Sequence, residues 1–584
     1  MRAVPSRRRW SVPIGRGATY TARRRGRKWL GVRSCSARIA TGLADRDRKT
    51  TDMVARGGRL DGVEAPLTGR RLAIMLCAVL VAATGLRIAT ADYSLWYDEL
   101  ASLEFASQPL AHLWSSWMLR ETNPPLFYSL VGQWVAVAGH GDVVVRLLPI
   151  AIGVAGIGAA FGLGRAVGDA RAGLLAAALL SLSALHVDLS HQLRAYGLAH
   201  TAVLVACIGM VGFVRRRTSG GLILYGIATL VALYAHTTLA LFAGLAGLTM
   251  LVLLRGDRAA QMRWLLANSV VFACWGWWAM MSVRQLQMPV TNIAWIATPS
   301  FADAVDMAAL VYLPLYVHAT GILSAALLAL LFVAIGGWAI RSTQPEVRLL
   351  ATVTIAPPVL LFVISQRVPI LLPRTLGWAS GPELVLVALA VTRIPSVIVA
   401  RASAAILLGW SAIGLVGWLP IREREPWRQS VATLERLGSP VVIVGDDAVA
   451  LAIGQYRTGT RPLVPIVVQS AYRERWSSGL YTGPHLTTDA ARALIGESGC
   501  VSVLEWGPFH PPVLDDPAMV VVPVTRDASP SVSLVRATAL PRNCGGGTDS
   551  GPVHGKAVVG HGVHSYGSPS TAGLPKGGPA RVER

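Results

Sequence analysis

The sequence predicts an all-α polytopic membrane protein of about eleven transmembrane helices, followed by a small extracytoplasmic α/β domain at the C-terminus. Three observations lead there. Of 584 residues, 53% are hydrophobic and only 15% charged, where a soluble domain carries about 25% charged residues. Long apolar runs recur along the chain between about 72 and 419. After 419 the pattern changes to short β-like runs with turns between them. A purely soluble enzyme is excluded by this balance.

Charge comes first, because it is uneven. The net charge is +22, and residues 1–71 hold nineteen Lys/Arg against five acids. Residues 1–70 lack apolar periodicity and read as a disordered, basic cytoplasmic arm able to touch anionic lipid. No folded nucleic-acid reader accompanies the basic clusters, so no nucleic acid is expected as a partner. The only lysines are Lys28, Lys49, Lys556 and Lys576, which excludes a P-loop and a Schiff-base lysine from the apolar body. No CxxC occurs, and Cys500 and Cys544 are the pair open to a disulfide if the tail is exported.

Apolar runs long enough to span begin near Leu72, Arg146, Ala172, Ala195, Leu222, Leu239, Trp264, His318, Leu349, Leu376 and Ala402. With the N-terminus inside, the inner connections carry twelve arginines and the outer ones six, which sets the orientation. The long connection 91–145 and everything beyond 419 then lie outside. Residues 71–419 form the transmembrane body, with 91–145 as its outer loop. Residues 420–540 form the outer α/β domain, with a helix at 427–437 feeding the strand in "SPVVIVGDD" and further strands in "VSVLEW" and "AMVVVPV". Residues 541–584 read as a disordered Gly/Ser-rich tail. "GIGAAFG" at 156–162 mimics a dinucleotide loop, but it sits within an apolar span and reads as small-residue helix packing.

Polar groups collect at the outer ends of the spans. Asp98 and Glu99 follow the first span in "LWYDEL"; adjacent carboxylates there can act as a general base or bind a divalent cation. Arg87 lies about one turn inside that span and needs a partner or a wet cavity. The apolar stretch 126–138 is short for a span, and Pro124 and Pro125 stop it extending backward, so an interfacial helix roofing a cavity is expected. Arg146 opens the next span. "SHQLRAYGL" brings Gln192, Arg194 and Tyr196, with Gln192 and Tyr196 at helical i,i+4 spacing; "YAHTT" brings His236, and "SQRVPILLPRTLGW" brings Arg367 and Arg374. Arginines can grip a phosphate through paired N–H donors, and a carboxylate can take the proton of an attacking hydroxyl. Metal ligands cannot be assigned from the spacing.

The order "LWYDEL", "NPPLFY", "RLLP", "SHQLRAYGL", "YAHTT", "LLPRTLGW" over about residues 72–395 resembles the GT-C membrane glycosyltransferases, in particular bacterial relatives of the dolichyl-phosphate-mannose protein mannosyltransferases. The resemblance implies inverting transfer of a mannose-like hexose or a pentose from a polyprenyl-phosphate donor to a lipid, glycan or protein acceptor. The site would lie on the extracytoplasmic face of the plasma (inner) membrane. It implies Asp98 as base with Glu99 beside it, and Arg87, Arg146, Arg194 and Arg374 as donor-phosphate or loop contacts. Gln192, Tyr196, His236 and Arg367 complete the expected substrate-binding set. No cofactor is implied with certainty, a divalent cation being the one candidate. Two departures stand out: Gln192 and Leu193 occupy a stretch where the family carries a Glu, and Thr375 follows Arg374 where it carries a Tyr. Two other classes stay open, a transporter or flippase of lipid-linked sugars and a noncatalytic membrane scaffold. A transporter favours inverted repeats and broken midplane helices, and no clear repeat is seen.

The orientation is testable. A reporter fused after residue 430 should be active only when exported; one active only in the cytoplasm would invert the topology.

Overall fold

A computed structural model describes residues 69–288, 293, 296–314, 321–468, 480–507, 510–525 and 529–538. The expectations for the basic arm and for the tail after 540 lie outside these residues, save that Gly69 and Arg70 open the first helix.

All eleven apolar segments fall on helices, but not all are spans by length. Among the described residues, eight helices are long and apolar enough to cross a membrane, including Gly69–Ala89, Asp142–Val167, Tyr196–Arg216 and Val397–Ile421. A ninth is a pair, Ala170–Leu182 and Ala184–His191, bent by 64°. Ser219–Ala235 and Leu239–Leu253 are shorter, at 17 and 15 residues. The expected eleven is therefore not reached on length and composition. Hydropathy locates apolar helices well because a bilayer forces backbone groups to pair internally; it does not say how deep each one goes.

The bend has a local cause. Ser183 takes an extended conformation and its side chain accepts the His186 N–H, so it caps a new helix rather than continuing the old one. The second segment turns inward and carries His186, Asp188 and His191, all buried. Small residues set the spacing elsewhere. A Cβ on Gly156 would sit 2.6 Å from Thr201 Oγ1, and one on Gly209 would sit 2.5 Å from the Tyr225 backbone nitrogen. The glycine run at 156–162 is thus helix packing, within Asp142–Val167.

The connection 91–141 is largely helical: Tyr97–Ser107, the single turn Leu110–Leu113, a 3₁₀ segment Ser116–Arg120 and the helix Leu126–Ala138 expected from the sequence.

Beyond Ile421 the helix Trp427–Leu437 leads into a five-stranded sheet of order β2-β1-β3-β5-β4, built from β1 (Val441–Val444), β2 (Val464–Val467), β3 (Val501–Glu505), β4 (Met519–Pro523) and β5 (Ser531–Ala537). β1 lies parallel to β2 and β3, pairing Ile443 with Ile466 and with Val503. β5 runs antiparallel to β3 and β4. The helices Asp447–Tyr456 and Thr488–Ser498 serve as the crossovers between the parallel strands. This sheet is not a separate appendage: Arg428 pairs with Asp142 and Asp92 (2.8 Å to the latter), and Tyr456 donates to Asp142 over 3.0 Å, tying it to the helical body.

Candidate active site

The site is built on residues 91–96, the connection between the first helix and Tyr97–Ser107, and on the first turn of that helix. A connection that belongs to no helix or sheet must satisfy its backbone groups by other contacts. Arg146 takes the carbonyls. One of its terminal nitrogens donates to Ala91 O at 3.1 Å and Tyr93 O at 2.6 Å; the other donates to Ser94 O at 3.1 Å and to Glu99 at 2.7 Å. The guanidinium also lies 3.9 Å from the Tyr93 ring centroid. Arg146 and Glu99 are both fully buried. Glu99 is committed further: one oxygen accepts the Trp96 N–H at 3.1 Å and the other the Leu193 N–H at 2.8 Å.

The last of these bonds corrects one expectation. The helix ends at His191, and Gln192 is extended, so Gln192 and Tyr196 are not neighbours on a helix face. The chain leaves the helix where Leu193 N–H is taken by Glu99.

Asp98, one residue before Glu99, faces the other way. It lines a cavity of about 510 Å³ with Arg194, Tyr196, His236 and Arg374. Arg374 lies 3.6 Å from the Asp98 carboxylate, and both are partly exposed. Arg194 donates to Ser102 at 3.2 Å and to Tyr128 at 3.1 Å, and lies 3.8 Å from Glu121. The Tyr196 and His236 rings lie against each other at a tilt of 40°, with centroids 5.6 Å apart. The His236 Nδ1 pairs with the Thr238 hydroxyl at 2.8 Å. Three arginines (Arg120, Arg194, Arg374) and two carboxylates (Asp98, Glu121) line this space, so its fixed charge favours an anion. Many of the remaining walls are apolar, including Phe105, Leu241, Leu361 and Leu372.

The other predicted residues are elsewhere. Arg87 is fully buried and bonds to Ala83 O, Ser181 O and His186 Nδ1, the last at 2.9 Å. It pins the bent helix pair to the first helix. Arg146 and Glu99 form the scaffold described above. Gln192 donates to Asp188 at 2.7 Å. Arg367 is exposed, outside the cavity lining. Asp98 and Glu99 point apart, so they do not share a cation site, and among the described residues no three His, Cys, Asp or Glu side chains converge as metal ligands.

Sequence reasoning missed the cavity residues Arg120, Glu121 and Asn123, and the whole of 422–425. That short connection lies against the back of the Asp98 segment. Arg424 pairs with Asp188 at 2.9 Å and sits 4.5 Å from the Trp96 ring centroid, with Arg374 at 5.7 Å from the same ring. Glu425 is buried, and one of its oxygens accepts both the Tyr97 N–H and the Trp427 indole N–H. Burial pushes its carboxyl up to about 8 against those two bonds, and the nearby Asp98 charge pushes the same way. The only sequence signal was "REREP", which reads as a solvated linker.

The same architecture is found in solved structures. ArnT from Cupriavidus metallidurans bound to undecaprenyl phosphate superposes with a TM-score of 0.56 at 14% identity, over 82% of this chain and all of that one. Its apo state gives 0.54 at 14% identity, over 79% and 97%. The arabinofuranosyltransferase AftD from Mycobacteria gives 0.46 at 16% identity over 82% of this chain and 40% of that one. No protein-family model and no curated protein sequence matches the chain. The protein is a multi-pass membrane protein that shares the fold of these ArnT structures.

Removing one member of a buried ion pair leaves the other charge uncompensated, at about 3–5 kcal/mol. Arg146→Met should therefore markedly lower the melting temperature in detergent, whereas Arg367→Ala should leave it unchanged. Equal melting temperatures for parent and Arg146→Met would remove Arg146 from the scaffold.

Proposed function

We propose that the protein is an integral membrane glycosyltransferase that moves a sugar, a mannose-like hexose or a pentose, from a polyprenyl-phosphate donor to an extracytoplasmic acceptor. The acceptor is a lipid, a glycan or a protein. The observation that carries this reading is the meeting of Asp98 with Arg374 at 3.6 Å on a cavity that also holds Arg194 and opens among apolar walls. The neighbour ArnT is described with undecaprenyl phosphate bound, which supports a lipid phosphate as the ligand.

In this reading Arg374 and Arg194 take the donor phosphate, and the apolar walls take the start of the prenyl chain. Asp98 receives the proton of the acceptor hydroxyl as its oxygen bonds to the anomeric carbon. The bond from that carbon to the phosphate oxygen breaks, and polyprenyl phosphate departs with the electron pair. Attack opposite the leaving group inverts the anomeric centre. The phosphate needs no strong acid to leave, because cationic charge stabilises it. Glu99 keeps the loop in place through Arg146, and the proton transfer falls to Asp98.

An outward-facing site in the plasma (inner) membrane is supported by the arginine asymmetry of the short connections. A flippase would use the cavity without a base, and no specific observation favours it.

Asp98→Asn keeps the size of the side chain but not its basicity. Turnover of a radiolabelled polyprenyl-phosphate sugar by purified protein should fall ~10²–10⁴-fold, the usual worth of a general base. Donor binding should survive. Near-parental turnover would remove Asp98 from the chemistry.

A further inference from the structure

Four consecutive backbone N–H groups lead into Asp98, and each is taken by a side chain. Ser94 N–H goes to Glu423 at 3.1 Å, Leu95 N–H to the Tyr456 hydroxyl at 2.6 Å, Trp96 N–H to Glu99 at 3.1 Å and Tyr97 N–H to Glu425 at 2.7 Å. Three of the four acceptors come from residues more than 320 positions later in the chain. Two lie in the connection after the last span and one ends the helix Asp447–Tyr456. Arg146 holds the carbonyls of Ala91, Tyr93 and Ser94, which lead into the same segment. The Tyr97 ring stacks on Trp506, at the end of β3, with centroids 4.8 Å apart. Trp96 itself lies against Arg424.

We propose that the C-terminal segment is a template for the Asp98 loop, with Glu423, Glu425 and Tyr456 as positioning residues that set the transfer rate without touching the reactants. None of the three lines the cavity. This rests on the reading of Asp98 as base. The physical argument is that a connection outside helix and sheet has little fixed geometry of its own, and each accepted N–H removes one way for it to relax. A carboxylate that must meet an acceptor oxygen within hydrogen-bond reach needs such support. The arrangement also gives the C-terminal domain a role that no substrate contact would reveal. Glu425 suits the task because either its carboxyl or an amide in its place can accept an N–H.

The test uses the full-length protein in nanodiscs, with Glu425→Ala, Glu425→Gln and Tyr456→Phe. Two readouts are taken: kcat and KM with a radiolabelled polyprenyl-phosphate sugar, and hydrogen exchange of the peptide spanning residues 92–100. Glu425→Ala should lower kcat up to about 10²-fold, as expected of a small misplacement of a reacting group. Donor KM should hold, and the amides of 94–97 should exchange faster. Glu425→Gln should restore both readouts, a rescue that a merely structural defect would not track. Parental kcat and exchange in folded Glu425→Ala would overturn the proposal, as would a raised KM at unchanged kcat. Should Glu425→Ala fail to fold, Tyr456→Phe decides by the same two readouts. An inactive parent would count against the transferase reading; the exchange readout would still decide whether the template exists.

Discussion

The site depends on how one guanidinium, that of Arg146, is surrounded. It is fully buried, an expensive place for a charge, and it is retained because it meets three carbonyls and a carboxylate at once. Those carbonyls belong to the segment that ends at Asp98. Removing the guanidinium would strand a buried Glu99 and release the strand together. The fold uses a single cation as the hub of a loop that no sheet or helix supports.

Around this hub the polar groups fall into two kinds. Arg87, Arg146, Glu99, Gln192 and Asp188 are paired within protein, and they join helices distant in the chain. Asp98, Arg194, Arg374 and His236 line an open volume. In a membrane protein both kinds look alike in sequence, because either is a polar residue at the end of an apolar run. Only the packing tells a structural pair from a ligand-facing group. The Asp98–Glu99 dipeptide makes the point: on the first turn of one helix, neighbouring side chains diverge, so one carboxylate faces the cavity while the other faces Arg146.

This explains what was legible beforehand. The eleven apolar segments were readable because the bilayer makes helix the one economical answer for a long apolar run. The helix Leu126–Ala138 was readable from its apolar run and from Pro124 and Pro125. The bend at Ser183 was not, since it depends on one side chain taking the His186 N–H. β1, β3 and β4 announced themselves as Val-rich runs; β2, beginning Val464-Pro465, and the mixed order of the sheet did not. Of the ten expected site residues, Asp98, Arg194, Tyr196, His236 and Arg374 meet at the cavity. Glu423 and Glu425 were invisible because each accepts a backbone N–H from a residue more than 320 positions away, and a backbone N–H leaves no mark in a sequence.

The central claim is that the cavity beside Asp98 receives a lipid-linked phosphate. A structure determined in nanodiscs with a polyprenyl phosphate added measures this directly. The account predicts the phosphate within hydrogen-bond distance of Arg374 and Arg194, with the prenyl chain leaving along the apolar walls. A phosphate bound away from both arginines, with this cavity unfilled, would contradict it.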